Sequence, residues 1–263
     1  MLPLLTGSLL VTFSLFVYAR LACKVFVHGG KVRAAGFGPP DIGFATVLIS
    51  WFIFLTIRGF HRAPQPVNSD DILNGALLYM MIIGGIAAFM HLRGIDVSEE
   101  FGMRLVRPDK VFGLALAFMA AAYPAIGGVN ALTQILLGPK AKLQEPVKYF
   151  LDASHKLNLP ALVSMGVMAV IVAPVAEEFI FRGYLYGVLK RNFGLIAGLL
   201  MNCALFAAVH LNETSLPALF LLAVAFTISY EVTGSILVCM CMHGLFNLSS
   251  LVFTFYAAQH STL

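Results

Sequence analysis

Three charged side chains interrupt an apolar run that is long enough to cross a membrane. Glu177, Glu178 and Arg182 lie inside Leu159–Leu189, a stretch that is otherwise largely apolar. A charge at the centre of a bilayer costs about 2.5–3.5 kcal/mol on insertion scales. Such residues are retained where they are paired, hydrated or functional, so the rest of the chain has to supply partners for them.

The two adjacent glutamates are expected to have different neighbours. Glu178 and Arg182 are four residues apart and share one helix face, which favours an ion pair. Glu177 is turned about 100° away from Glu178 and cannot use the same arginine equally well. Pro174 removes one hydrogen bond from the helix ladder, which favours a kink and room for water. Glu177 is therefore the carboxylate left available for chemistry.

The composition places the whole chain in a membrane. Of its 263 residues, 59% are hydrophobic and 11% are charged, whereas soluble domains carry roughly 25% charged residues. The net charge of +4 is spread over loops without an aromatic-rich basic patch, so nucleic acid is not an expected partner. The four cysteines lack CxxC spacing, which argues against a disulfide framework or a thiolate metal site.

Eight segments meet the requirement of about 20 apolar residues per crossing, although the second is somewhat short. They are Leu2–Ala19, Ile42–Ile57, Ile72–Met90, Val111–Leu137, Leu159–Leu189, Gly194–His210, Ser215–Tyr230 and Ser235–Ala258. The first is interpreted as a retained helix, because no basic region precedes it. The fourth is long and holds Pro124, so it is expected to tilt or break. The predicted fold is all-α: a polytopic transmembrane bundle of about eight helices, forming a single membrane domain over 1–263.

The links between these spans are polar. Residues 58–71 contain two prolines, and His91–Lys110 is the most charged stretch, expected to form a short surface helix around Glu99–Arg107. Residues 147–151, within the link 140–156, are expected to form an amphipathic interfacial helix. Loops one, three and five carry ten Lys and Arg residues against six in loops two, four and six. The positive-inside rule therefore places the turn at residues 190–192 in the cytoplasm.

The last three spans contain few strongly polar side chains, and these recur at helical spacing. Phe206 and His210 form one i, i+4 pair, and His243 and Asn247 form another. At ~1.5 Å per residue, Glu177, His210 and Asn247 lie about 20, 24 and 18 Å from the basic end. On the same estimate His243 lies about 12 Å from that end, roughly a turn short of the others. We therefore expect these groups to converge inside the membrane.

These residue types suit hydrolysis of an acyl bond by an activated water. A glutamate among apolar walls, with His210 beside it, can hold a water and accept its proton. His243 and Asn247 are donors that could receive the oxyanion of a tetrahedral intermediate. Ser249 and Ser250 have no base paired to them by spacing, and the HExxH zinc-protease motif is missing. One Glu and two His could still bind a metal, which remains a minor option.

Three motifs in this order resemble those of the CPBP family, which comprises CAAX proteases and bacteriocin-processing enzymes, and whose eukaryotic branch is the type II CAAX prenyl endopeptidase. They are Glu177-Glu178-x-x-x-Arg182, Phe206-x-x-x-His210 and His243-x-x-x-Asn247. The resemblance covers roughly residues 160–255, the expected catalytic core.

The resemblance implies a glutamate-dependent intramembrane endopeptidase. We expect no cofactor and no metal, because the depth estimate places His243 about a turn away from Glu177 and His210, which is unfavourable for three ligands of one ion. It makes Glu177 the water-activating base with His210, and assigns His243 and Asn247 to the oxyanion. Glu178 and Arg182 are supporting residues, as is Phe206. The expected partners are the lipid bilayer and a membrane-associated protein or peptide substrate, and the expected location is a prokaryotic cell membrane. Two other functions remain open: a non-catalytic adaptor or bacteriocin-immunity protein, and a proton-coupled transporter, since buried Glu, Arg and His also form proton relays.

Overall fold

The computed structural model describes residues 2–61 and 66–260, which form helices and connecting loops without any strand in these ranges. The helices are α1 (Leu2–His28), α2 (Pro39–Phe60), α3 (Ser69–Leu92), α4 (Val97–Glu100), α5 (Pro108–Leu137), α6 (Glu145–His155), α7 (Leu159–Ala208), α8 (Leu216–Thr233) and α9 (Ile236–His260). Within the described ranges, seven of them are long and apolar enough to cross a membrane, namely all but α4 and α6. The predicted all-α polytopic bundle is confirmed.

Helix α7 contains two of the eight expected crossings. It is 50 residues long and is interrupted at Gly194, whose backbone angles (φ 80°, ψ 172°) are not helical. The chain folds back at Gly194, and this brings its two arms close together: a Cβ at Gly198 would lie only 2.7 Å from the backbone nitrogen of Lys190. The two arms correspond to the predicted spans 159–189 and 194–210, so the seven spanning helices of the described ranges contain all eight expected segments.

The first arm of α7 is irregular around the charged cluster. Segments Met168–Val172 and Glu178–Leu185 are π-helical, and the short α-helical segment Ala173–Glu177 separates them. Within the first π-helical segment, Ala173 N–H donates to the carbonyl of Met168, five residues back. The next donor in this pattern would be Pro174, which has no N–H, so the Ala169 carbonyl lacks a backbone partner. The irregularity expected at Pro174 thus takes the form of π-helical turns.

Aromatic side chains from the first half of the chain fit against glycines of α7. A Cβ at Gly183 would lie 2.6 Å from the ring of Phe101, and one at Gly187 would lie 2.2 Å from the ring of Phe37. Both rings are almost completely buried. Small residues allow this close approach inside a membrane bundle, so residues outside the last 100 help to build the core around the charged segment.

A second buried charge ties the loop after α1 to the basic end of the bundle. Glu231 Oε1 accepts hydrogen bonds from Lys190 Nζ at 2.6 Å and from the hydroxyl of Tyr186. Its other oxygen accepts from Val32 N at 3.2 Å, and the Lys31 N–H donates to the Glu231 carbonyl at 2.8 Å. These contacts bring the first and fifth loops, both rich in basic residues, to one end of the bundle.

The predicted links and breaks have mixed outcomes. Helix α6 confirms a helix over residues 147–151, whereas the surface helix around Glu99–Arg107 is wrong, because α4 ends at Glu100 and Gly102 (φ 62°) turns the chain. Helix α5 is not broken at Pro124. Ser14 of α1 donates to the Ala121 carbonyl at 2.5 Å and accepts from Ala125 N at 3.3 Å, bridging the ladder beside the proline. In the link 58–71, residues 62–65 lie outside the described residues.

Candidate active site

Two imidazoles face one oxygen of Glu177. Glu177 ends the short α-helical segment of α7, and His210 follows the end of the same helix after its second arm. His243 lies in α9. The Nε2 atoms of His210 and His243 are each 3.9 Å from Glu177 Oε2. The structure thus brings together three of the four predicted catalytic side chains.

The two oxygens of the Glu177 carboxylate have different surroundings. Tyr79 of α3 donates its hydroxyl hydrogen to Oε1 at 2.6 Å. Oε2 is buried and has no hydrogen-bond partner. Sequence reasoning missed Tyr79, although the single tyrosine in the largely apolar span Ile72–Met90 was a signal that could have found it. Oε2 is the oxygen available for a reacting molecule.

In each imidazole, Nδ1 is held by a hydrogen bond, and this leaves Nε2 facing Glu177. His210 Nδ1 lies 2.7 Å from the Phe206 carbonyl oxygen, which can only accept a hydrogen bond. His243 Nδ1 lies 2.9 Å from Glu178 Oε1. With Nδ1 protonated in both rings, each Nε2 is free to accept a hydrogen bond in the neutral form, or to donate one when the ring is charged.

The expected ion pair between Glu178 and Arg182 is present and fully buried. The Arg182 Nη1–Glu178 Oε1 distance is 3.1 Å, and both side chains are 0% exposed. The guanidinium also lies over the ring of Phe206, 4.1 Å from its centroid, and donates to the Ala223 carbonyl at 3.4 Å. The pair therefore supports the His243 imidazole from behind, since Glu178 Oε1 is shared by Arg182 and His243.

The position of Asn247 differs from the expectation. Asn247 Nδ2 donates to the Ala169 carbonyl at 2.7 Å, so it supplies the donor that Pro174 cannot. Gly244, one turn away, lies against the next carbonyl, because a Cβ there would be 2.7 Å from Val170 O. Asn247 makes no hydrogen bond to Glu177 or to either histidine, and one hydrogen of its amide remains unused.

The depth estimate predicts that His243 lies a helical turn away from Glu177 along the bundle. In the structure the two side chains instead face each other, with His243 Nε2 3.9 Å from Glu177 Oε2. That estimate used the α-helical rise for every residue between Glu177 and the basic turn. Eight of those residues, Glu178–Leu185, are in π-helical turns. A turn closed by i→i+5 hydrogen bonds holds more residues, so it advances less per residue. The π-helical turns therefore account for part of the offset between Glu177 and His243 along the bundle.

An apolar groove adjoins the site. It has a volume of about 480 Å³ and runs between the first arm of α7 and α9, with Phe150 of α6 among its lining residues. Val170 and Leu248 line the groove as well. They are neighbours of Ala169 and Asn247, the residues whose hydrogen bond joins the two helices. The groove therefore lies next to the Asn247–Ala169 contact between the two helices.

The family comparison covers the part of the chain that carries the site. Residues 159–249 match the sequence model of the family described as "Rce1-like: Type II CAAX prenyl endopeptidase Rce1-like". The chain carries a domain of the CAAX protease family. All four proposed catalytic residues lie within this CAAX protease domain, whereas Tyr79 lies outside it. The chain matches no curated protein and no solved structure.

Proposed function

We propose that this multi-pass membrane protein is an intramembrane endopeptidase that uses a glutamate-activated water. The observation that carries the proposal is the unpartnered Oε2 atom of Glu177, which faces the Nε2 atoms of His210 and His243 at 3.9 Å each. A separation of 3.9 Å is too long for a direct hydrogen bond, and a water bonded to both atoms would satisfy them. A water bound among these three atoms is the nucleophile of the proposal.

The donors and acceptors around the proposed water limit how its hydrogen bonds can be arranged. A water has two hydrogens to donate, so it satisfies two of the three facing atoms and must accept from the third. We assign the donor to His243 Nε2, because its Nδ1 is bonded to the Glu178 carboxylate, which stabilises an imidazolium. The water then donates to Glu177 Oε2 and to neutral His210 Nε2. With Arg182, the cluster holds two positive and two negative charges.

The reaction follows from these positions. The water oxygen attacks the carbonyl carbon of the scissile peptide bond while its proton passes to Glu177 Oε2. The carbonyl oxygen becomes an oxyanion, which receives a hydrogen bond from His243 Nε2. The same proton then moves from Glu177 to the leaving nitrogen, the C–N bond breaks, and the products are a carboxylic acid and an amine. Glu177 ends the cycle as a carboxylate.

Asn247 is proposed as a second oxyanion donor through the amide hydrogen that the Ala169 contact leaves unused. Because its other hydrogen is bonded to Ala169 O at 2.7 Å, the side chain is held in one orientation. Preorganised donors of this kind contribute about 10²–10³ to the rate. His243→Ala and Asn247→Ala are therefore expected to be less damaging than the loss of Glu177.

The proposed substrate is a peptide with a membrane-embedded or lipidated end, including a prenylated one of the CAAX type. Two observations support this class. The groove beside Val170 is lined by apolar residues of the spanning helices and of α6, with no charged side chain among them. The matched family is described as a prenyl endopeptidase. The apolar end of the substrate would lie in the groove while the peptide bond reaches Glu177.

The test is cleavage of a farnesylated, fluorophore-quencher peptide ending in a CAAX sequence, by protein purified in detergent. Glu177→Gln keeps the shape of the side chain but cannot accept the proton of the water, so turnover should vanish while the melting temperature is retained. His210→Ala should be nearly as damaging. The matched control is Glu145→Gln, the same substitution on an α6 carboxylate that pairs with Lys148, which should leave turnover unchanged.

Comparative proteomics of membrane peptides, from cells making wild-type or Glu177→Gln protein, extends the search beyond the farnesylated probe. If the Glu177→Gln protein kept most of its turnover, Glu177 would not be the base. If folded wild-type protein cleaved neither the probe nor any cellular peptide, the endopeptidase proposal would fail and the adaptor or immunity function would take its place.

A further inference from the structure

We infer that Tyr79, which lies outside the CAAX protease domain, is a positioning residue for the Glu177 base. This inference rests on the proposed function. It starts from one contact, the 2.6 Å hydrogen bond from the Tyr79 hydroxyl to Glu177 Oε1. Among the described residues, Tyr79 is the hydrogen-bond partner of Glu177, and it contacts the carboxylate oxygen that does not face the two histidines.

The contact fixes the rotation of the carboxylate. The terminal torsion of a glutamate is broad and roughly two-fold, so a free carboxylate exchanges its two oxygens easily. A hydrogen bond to a charged acceptor is stronger than a neutral one. With Oε1 held by Tyr79, Oε2 stays directed at the His210 and His243 Nε2 atoms. The Glu177 carboxylate thus directs one oxygen, Oε2, and one of its lone pairs towards the proposed water.

The packing of α3 makes this contact a fixed part of the site. Helix α3 lies against the first arm of α7, from its start to the segment Glu178–Leu185. One turn before Tyr79, Gly75 is in contact with Met168, since a Cβ there would be 3.5 Å from the Met168 methyl group. The phenol therefore approaches Glu177 from a helix that is held at two levels of α7.

The experiment compares Tyr79→Phe with wild-type protein. The substitution keeps the ring and removes only the hydroxyl, so kcat for the farnesylated peptide should fall about 10- to 100-fold, the range expected from one hydrogen bond to a charged group. KM should stay within about two-fold, because the substrate does not touch the phenol. The matched control is Tyr18→Phe, which removes a buried hydroxyl bonded to the Phe118 carbonyl at 2.9 Å and should leave kcat unchanged.

Infrared difference spectroscopy gives a readout that does not need turnover. The carboxylate band that disappears in Glu177→Gln belongs to Glu177, and it should shift in Tyr79→Phe but not in Tyr18→Phe. Replacing Tyr79 by 3-fluorotyrosine, which keeps the hydroxyl and changes its acidity, should move the band by a smaller amount. An unshifted band in Tyr79→Phe, or an unchanged kcat alongside an inactive Glu177→Gln protein, would overturn the inference and leave the proposed function standing. A wild-type protein without activity would instead overturn the proposed function, whatever the band does.

Discussion

Replacing the buried Arg182 tests whether this residue stabilises the structure around the site or takes part in the reaction. Arg182 and Glu178 are both fully buried, and their 3.1 Å contact is the ion pair that neutralises Glu178. Arg182→Met keeps much of the side-chain volume but removes the guanidinium that pairs with the Glu178 carboxylate. Breaking a buried pair in this way costs about 3–5 kcal/mol. At about 2–4 °C per kcal/mol for a chain of this size, the melting temperature should fall by about 6–20 °C.

A second substitution tests whether the cost comes from the unpaired charge. Glu178→Gln removes that charge but keeps a carbonyl oxygen that can accept the hydrogen on His243 Nδ1. The double variant Arg182→Met/Glu178→Gln should therefore recover at least about half of the lost stability, because neutral residues replace a buried pair at little cost. It should not recover full activity, since a neutral amide stabilises the His243 imidazolium less well than a carboxylate.

Thermal unfolding in detergent is monitored by light scattering. Activity is measured separately as cleavage of the farnesylated peptide. The control is Arg191→Met, the same substitution on an exposed residue of the basic turn, which should change stability by no more than about 0.5 kcal/mol. Two results would refute the reasoning: an Arg182→Met protein that melts with the wild type but is inactive, which would move Arg182 into the reaction itself, or a double variant no more stable than Arg182→Met.

Two further predictions concern α9 and metal. Asn247→Ala should lower stability by about 1–2 kcal/mol, the scale of an interhelical hydrogen bond in a membrane, and adding Pro174→Ala should restore part of that loss by supplying a backbone donor. Equal melting temperatures of Asn247→Ala with and without Pro174→Ala would contradict this account. A base that works by proton transfer needs no cation, so purified protein should contain no stoichiometric zinc and should stay active after exhaustive EDTA treatment. Elemental analysis showing one zinc per chain, with activity lost on chelation and restored by zinc, would favour a metalloprotease.

The convergence on Glu177 could be predicted because it depends on helical spacing and depth, which a sequence displays directly. Glu178 and Arg182 are four apart on one helix, so their pair follows from the geometry of any helical turn. His210 and Asn247 have the expected depth on their own spans, and His243 shares a helix face with Asn247 at i, i+4 spacing. Polar side chains in an apolar solvent seek one another, and few alternative partners were available at that depth.

The irregular backbone of α7 could not be predicted in the same way. A proline signals that one ladder hydrogen bond is missing, but it does not specify whether the helix kinks or widens into π-helical turns. That choice depends on Asn247 and Gly244 of another helix, which contact the carbonyls of Ala169 and Val170. The same limitation hid Tyr79, because an apolar helix gives no indication of which face meets its neighbour.

The first half of the chain cannot be a passive attachment to the CAAX protease domain. Gly183 and Gly187 leave gaps on α7 that the rings of Phe101 and Phe37 fill, and an unfilled gap in a close-packed interior forfeits the contacts that hold α7 in place. Tyr79 adds the hydrogen bond that orients the Glu177 carboxylate. Residues 159–249 supply the four groups proposed to act on the scissile peptide bond, yet α7 on its own would present Glu177 with a freely rotating carboxylate and an unpacked flank. The reactive groups are thus encoded in the matched segment, and their geometry is encoded in the helices that precede it.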